Sequence, residues 1–115
     1  MHRDPVRAVE LATKLMQHES KNGDAWNTFG VAQFRNGDFR GSIRSLQKGI
    51  ELNHEESGFD CIFLAMAHWK LGDHELARVY YAKADTWMKQ HKKDAQELQR
   101  FLLEATESFK GGESL

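Results

Sequence analysis

The chain has 115 residues, of which 40% are hydrophobic and 29% are charged, a composition typical of one small folded domain and not of a disordered segment. Its 16 Lys and Arg and 17 Asp and Glu residues leave a formal net charge of −1, so no strong field attracts nucleic acid or an anionic membrane, and neither is expected as a partner. The single cysteine excludes an internal disulfide framework. The sequence also shows no apolar leader and no apolar run long enough to span a membrane. Together with the single cysteine, these features predict a cytoplasmic protein.

The first predicted helix covers residues 5–18. Asp4 can serve as its N-cap, and Pro5 stands at the first helical position, where its missing N–H costs nothing. We therefore expect residues 1–22 to form an N-terminal helix that packs on the helices after it.

Two Gly-Asp pairs divide the middle of the chain. Gly37-Asp38 and Gly72-Asp73 each lie between two helical patterns and are 35 residues apart. Glycine readily adopts the left-handed conformation that ends a helix, and aspartate caps the helix that follows. The spacing therefore predicts two helix–turn–helix units of common period.

Shifting the sequence by 35 positions places large residues opposite large ones, and small opposite small, at nearly every apolar position. The pairs are Trp26 with Cys61, Phe29 with Leu64, Gly30 with Ala65, Ala32 with Ala67, Phe34 with Trp69, Leu46 with Tyr81 and Gly49 with Ala84. We predict two copies of one helical hairpin, at residues 23–54 and 55–91.

A last helix is predicted at residues 92–109, where apolar residues recur at helical spacing and form one stripe. They are Leu98, Phe101, Leu102, Ala105 and Phe109. Residues 110–115 carry little to bury and are predicted to form a disordered tail. Because strand-like alternation is nowhere sustained, the predicted fold is all-α, one domain of about six helices.

The two copies resemble tetratricopeptide repeats. The first carries the family's pattern at Trp26, Phe29-Gly30, Ala32, Gly37-Asp38-Phe39, Ile43, Leu46, Gly49 and Leu52, and the second at Leu64-Ala65, Ala67, Gly72-Asp73, Ala77, Tyr81 and Ala84. Gln33 and His68 stand where the family commonly has tyrosine, and Ser42 where it has alanine. The resemblance implies antiparallel helical hairpins in a short right-handed solenoid with capping helices at both ends.

The segments 4–9, 26–32 and 63–72 also resemble the C-terminal repeat modules of large bacterial multidomain proteins, several of which carry a serine/threonine kinase of eukaryotic type. The similarity covers residues 4–109. In such repeats the first helix lines a concave groove. By the resemblance, the candidate peptide- or protein-binding residues are Asn27, Val31, Phe34, Arg35, Phe59, Ile62, Phe63, Met66, Trp69 and Lys70. This largely apolar surface with a cation at one side suits an apolar helix or an extended segment, so the leading hypothesis is a non-catalytic module that binds a protein or peptide.

A structural role is the alternative hypothesis. The module could pack in cis within a larger protein, such as a serine/threonine kinase that it regulates, or associate with its own copy as a homodimer. The helix at residues 59–71 is apolar on almost every side. That pattern favours a helix buried between the first repeat and the last helix over an exposed binding patch. The patch would consist of Phe59, Ile62, Met66 and Trp69.

No set of catalytic or metal-binding residues stands out. Cys61 and His68 lie two helical turns apart, about 10 Å, whereas a nucleophile and its base need hydrogen-bond contact. None of the six histidines has another three or four residues away, the spacing at which a helix presents two zinc ligands. The sequence therefore predicts no enzyme, no cofactor and no metal site.

Overall fold

The computed structural model of the protein describes residues 21–113. Within that range the chain forms five α-helices and no strand. The helices are α1 (Gly23–Arg35), α2 (Phe39–Asn53), α3 (Gly58–Lys70), α4 (His74–Gln90) and α5 (Ala95–Glu113), the last preceded by a 3₁₀ turn (Lys92–Asp94). The predicted all-α fold of helical hairpins is confirmed, while the predicted helix at 5–18 lies outside the described residues.

The chain divides into two compact units between Glu55 and Glu56. In the first unit α1 and α2 pack as a hairpin, and in the second the hairpin of α3 and α4 also packs against α5. The sequence predicts one domain, whereas the contacts group each hairpin with its own neighbours. The division lies one residue after the boundary predicted between residues 54 and 55. The stacking of both hairpins into a right-handed solenoid stays a prediction.

Both hairpins turn in the same way. Gly37 and Gly72 have φ of 87° and 88°, the left-handed region that glycine tolerates. The backbone N–H of Asp38 and of Asp73 donates to the carbonyl five residues earlier at 2.9 Å in each turn, which is the Schellman closure of a helix. The two aspartate side chains then cap α2 and α4. The predicted role of each Gly-Asp pair is confirmed.

The caps at the start of each hairpin also follow the 35-residue period. The side chain of Asn22 accepts from the N–H groups of Asp24 and Ala25 at 2.9 and 3.3 Å. At the equivalent position Ser57 forms a reciprocal capping box with Asp60. The sequence analysis missed this box, although the Ser-x-x-Asp spacing before an apolar run is its signal.

In the first hairpin α1 and α2 approach closely. A Cβ atom at Gly30 would lie 2.8 Å from Cγ of the fully buried Leu46. The buried hydroxyl of Ser42 donates to the carbonyl of Gly30 at 2.7 Å, and the hydroxyl of Ser45 donates to the side chain of Gln33. The departures from the family pattern at positions 33 and 42 are therefore buried polar groups with partners.

Helix α5 presents the predicted apolar stripe. Leu98, Leu102 and Ala105 are buried, while Phe101 and Phe109 are half-buried. The helix begins after the 3₁₀ turn and continues to Glu113. This corrects the predicted end at residue 109 and, as far as residue 113, the predicted disordered tail, because the backbone of the glycines there stays helical.

Replacement of Gly72 by alanine tests the turn. An added Cβ would meet no atom within 4 Å, so only the left-handed backbone is penalised. We expect Gly72→Ala to lower the free energy of unfolding by about 1 kcal/mol, measured by denaturant titration of the Trp fluorescence. Gly72→Asn is the matched control and should cost less, because asparagine tolerates this region. An alanine variant as stable as the parent would contradict the assignment.

Candidate protein-binding surface

The candidate residues of the first repeat form a row along α1. Asn27 and Val31 are half-buried and Arg35 is exposed, and their spacing of four places them on one side of the helix. Phe34 is buried, with 8% of its surface exposed, and the guanidinium of Arg35 lies 5.6 Å from its ring centroid. Lys70, which is equivalent to Arg35 in the second repeat, is also exposed.

The apolar candidates on α3 are largely buried. Ile62 and Met66 have no exposed surface, and Phe63 and Trp69 keep 4% each. The predicted burial of this helix on nearly all sides is confirmed, while its packing against the first repeat stays a prediction. The alternative, an exposed patch, is wrong at Ile62, Met66 and Trp69, because a helix of such apolar composition is stabilised by packing on every face.

Helix α5 covers part of this surface of α3. The ring of Phe101 lies 6.1 Å from that of Phe59 and 5.2 Å from that of Phe63. The ring of Phe109 lies 4.5 Å from that of Trp69. Three of the candidate groove residues are thus in aromatic contact with a helix of the same chain.

Trp69 is the centre of an aromatic cluster at the end of α3. His74 stacks on the indole with ring centroids 3.7 Å apart, and the guanidinium of Arg78 lies 5.7 Å from it. Tyr81 contacts Phe109 on the α5 side, with ring centroids 5.7 Å apart. The buried indole Nε1 of Trp69 has no hydrogen-bond partner among the described residues. The cluster joins α3, α4 and α5 mainly by ring packing.

Cys61 lies buried beside the ion pair of Glu56 and Lys83, whose atoms are 3.2 Å apart. Burial, with the negative charge of Glu56, raises the pKa of the Cys61 thiol to about 12. The thiol is therefore protonated at neutral pH, and its thiolate, the nucleophilic form, is scarce.

His68 is held against the turn between α3 and α4. Its Nδ1 lies 3.9 Å from a carboxylate oxygen of Asp73, and its ring stacks on Tyr80 at 5.6 Å. Only 14% of the side chain is exposed, and this burial lowers its pKa below 6.5, although Asp73 opposes the shift. The folded state therefore favours the neutral imidazole.

Two further findings concern the described part of the chain. Residues 21–113 contain no group of three or more His, Cys, Asp or Glu side chains arranged to hold a metal ion. No helix in that range combines the length and the apolar character needed to cross a bilayer.

Removal of the Phe101 ring tests how α5 covers α3. Because the ring is half-buried against Phe59 and Phe63, we expect Phe101→Ala to lower the free energy of unfolding by about 2 kcal/mol and to speed amide exchange in α3. Leu103→Ala on the same helix is the control, since Leu103 is 60% exposed. Equal effects of both variants would contradict the packing described.

The stability of the second unit should depend on the protonation of His68. As the pH falls below 6.5, His68 of the unfolded chain binds a proton before His68 of the folded state does. The free energy of unfolding therefore decreases between pH 6.5 and the lower folded pKa, and the contribution of His68 is fully present above pH 6.5. His68→Gln, which introduces the residue found at position 33, should reduce this dependence in pH-resolved unfolding curves. His54→Asn, at an exposed histidine, should retain it. A pH dependence unchanged in His68→Gln would exclude His68 as its source.

A family model described as a tetratricopeptide repeat matches residues 61–91. The comparison with curated proteins finds no match. The matched segment covers most of α3 and all of α4, so it coincides with the second predicted repeat. The first hairpin is related to it by the 35-residue period of turns and caps. These findings support the interpretation of the chain as a tetratricopeptide repeat protein. Repeats of this kind generally mediate protein–protein interaction.

Proposed function

We propose that the chain is a non-catalytic protein-interaction module that binds its partner through the row of Asn27, Val31 and Arg35 on α1. The family match supports the class of function, because repeats of this family generally bind proteins. The single cysteine, which leaves no partner for an internal disulfide, supports a cytoplasmic setting, where thiols stay reduced.

A difference between the two repeats supports this choice of surface. Asn27 and Val31 are half-buried, whereas the residues 35 positions later, Ile62 and Met66, have no exposed surface. The same positions of one repeat pattern are therefore accessible on α1 and enclosed on α3. At these two positions the α1 row keeps side-chain surface that a partner can contact, whereas α3 does not.

The side chains of this row suggest the partner's chemistry. Val31 offers apolar surface, Arg35 a guanidinium with fixed geometry, and Asn27 an amide that donates and accepts. An apolar helix or extended segment with one carboxylate beside its apolar residues fits this set. A strongly acidic tail does not, because the row holds a single cation.

A structural role is the second candidate, and the burial of α3 favours it. Since α5 contacts Phe59, Phe63 and Trp69, the second repeat already has an intramolecular occupant on part of its predicted groove. In this alternative the module packs in cis within a larger protein, where it fixes the position of a neighbouring domain or regulates it. The sequence resemblance suggests a kinase as such a domain.

Peptide selection distinguishes these candidates. Peptides selected from a random display library on the chain should lose about tenfold or more in affinity with Arg35→Glu, measured by fluorescence anisotropy. Arg100→Glu, at an exposed arginine of α5, is the matched control. Selected peptides should also slow amide exchange in α1. Binding that both substitutions weaken equally would contradict the α1 surface, and a selection without specific binders would favour the structural role.

A further inference from the structure

Helix α4 has an exposed face with apolar residues at its centre. We define the α4 face as Val79, Ala82, Lys83, Thr86 and Gln90, all of which are exposed, with 46% of the surface of Val79 accessible. The helical period of 3.6 residues puts them on one side of the helix. Beside them lies an open cleft of about 540 Å³, to which all five contribute.

The other sides of α4 are used within the second unit. Ala77 and Ala84 are fully buried in a helix that packs against α3 and α5. Tyr81 contacts Phe109, and its hydroxyl lies 3.3 Å from that of Thr106 on α5. The α4 face points away from these contacts, and α3 and α5 leave its apolar residues Val79 and Ala82 exposed.

The edges of the α4 face are self-complementary. Glu75 in the first turn and Lys89 in the last turn lie along one edge, by the helical period. Leu76, which is 41% exposed, and Trp87 lie along the other. The ammonium of Lys89 lies 3.1 Å from a carboxylate oxygen of Asp85 on the same helix. If two copies of α4 pack antiparallel about a two-fold axis near Ala82, each Glu75 adds a second carboxylate beside Lys89 of the other copy, and each Leu76 faces Trp87.

The centre of the α4 face is compatible with the same arrangement. Val79 of one copy then meets Thr86 of the other, so apolar and methyl groups pack at the middle of the contact. Lys83 lies close to the axis, but its ammonium is paired with Glu56 at 3.2 Å. Two copies therefore do not bring unpaired cations together, which would oppose association.

We propose that a second copy of this chain docks on the α4 face, with α4 packed antiparallel against its equivalent in a two-fold dimer. A contact along one helix of about 25 Å is small among protein interfaces, so the dimer is weak and depends on concentration. This surface is separate from the α1 row, and the inference does not depend on the proposed function.

Sedimentation equilibrium of the full chain, from micromolar to millimolar concentration, tests the dimer. We expect a reversible monomer–dimer equilibrium, and Val79→Glu should raise its dissociation constant about a hundredfold by placing a charge at the centre of the contact. Leu103→Glu is the matched control, because it makes the same kind of change at a 60% exposed leucine of α5, and it should leave the constant unchanged.

A charge-exchange experiment tests the antiparallel register. Glu75→Lys and Lys89→Glu should each weaken the homodimer about tenfold, since both edge contacts become repulsive. An equimolar mixture of the two variants should dimerise as the parent does, because the heterodimer restores two attractive contacts. A chain that stays monomeric at every concentration overturns the proposal. So does a dimer that survives Val79→Glu, or a mixture that associates no better than its components.

Discussion

The close antiparallel approach of two helices joined by a three-residue turn is the constraint on which both hairpins depend. Each turn holds one glycine with positive φ and one aspartate whose N–H closes the preceding helix and whose carboxylate caps the next. With so little chain between the helices, the second must run back along the first. Small residues such as Gly30 then allow the two backbones to approach closely. The sides of the helices that do not take part in this packing remain exposed.

Next to the turns, the two hairpins hold side chains at equivalent positions with different chemical groups. Gln33 and His68 occupy the same place and approach the aspartate of their own turn, at 3.4 and 3.9 Å. The residue 12 positions further on completes each contact, through the hydroxyl of Ser45 in the first hairpin and the ring of Tyr80 in the second. The first arrangement keeps its charge state at any physiological pH, whereas the second contains a titratable ring, so only the second hairpin couples this contact to protonation.

The sequence predicted those features that depend on residues close together in the chain. The positions of the turns follow from Gly-Asp pairs because backbone conformation and capping are local, and the apolar stripe of α5 follows from its periodicity. The all-round apolar pattern of α3 predicted that the last helix covers it, but the individual ring contacts of Phe101 and Phe109 could not be predicted, since they depend on tertiary packing. The repeat pattern placed Ile62 and Met66 in a groove, whereas the all-round apolar composition of their helix favoured burial, and they are enclosed. The end of α5 was placed at residue 109 because the residues after it carry little to bury, whereas the helical backbone continues to Glu113.

The second unit differs chemically on its two sides, and this difference limits where another helix can pack. The outward side of α5 is polar apart from Leu103; its exposed residues are Gln96, Glu97, Gln99, Arg100, Glu107 and Lys110. A further helical hairpin would have to bury these charged groups there without partners, which is costly. The exposed side of α4 offers Val79 and Ala82 beside a neutralised ion pair, so packing removes apolar surface from water at little electrostatic cost. The exposed side of α4 is therefore a more favourable surface for a further helix than the outward side of α5.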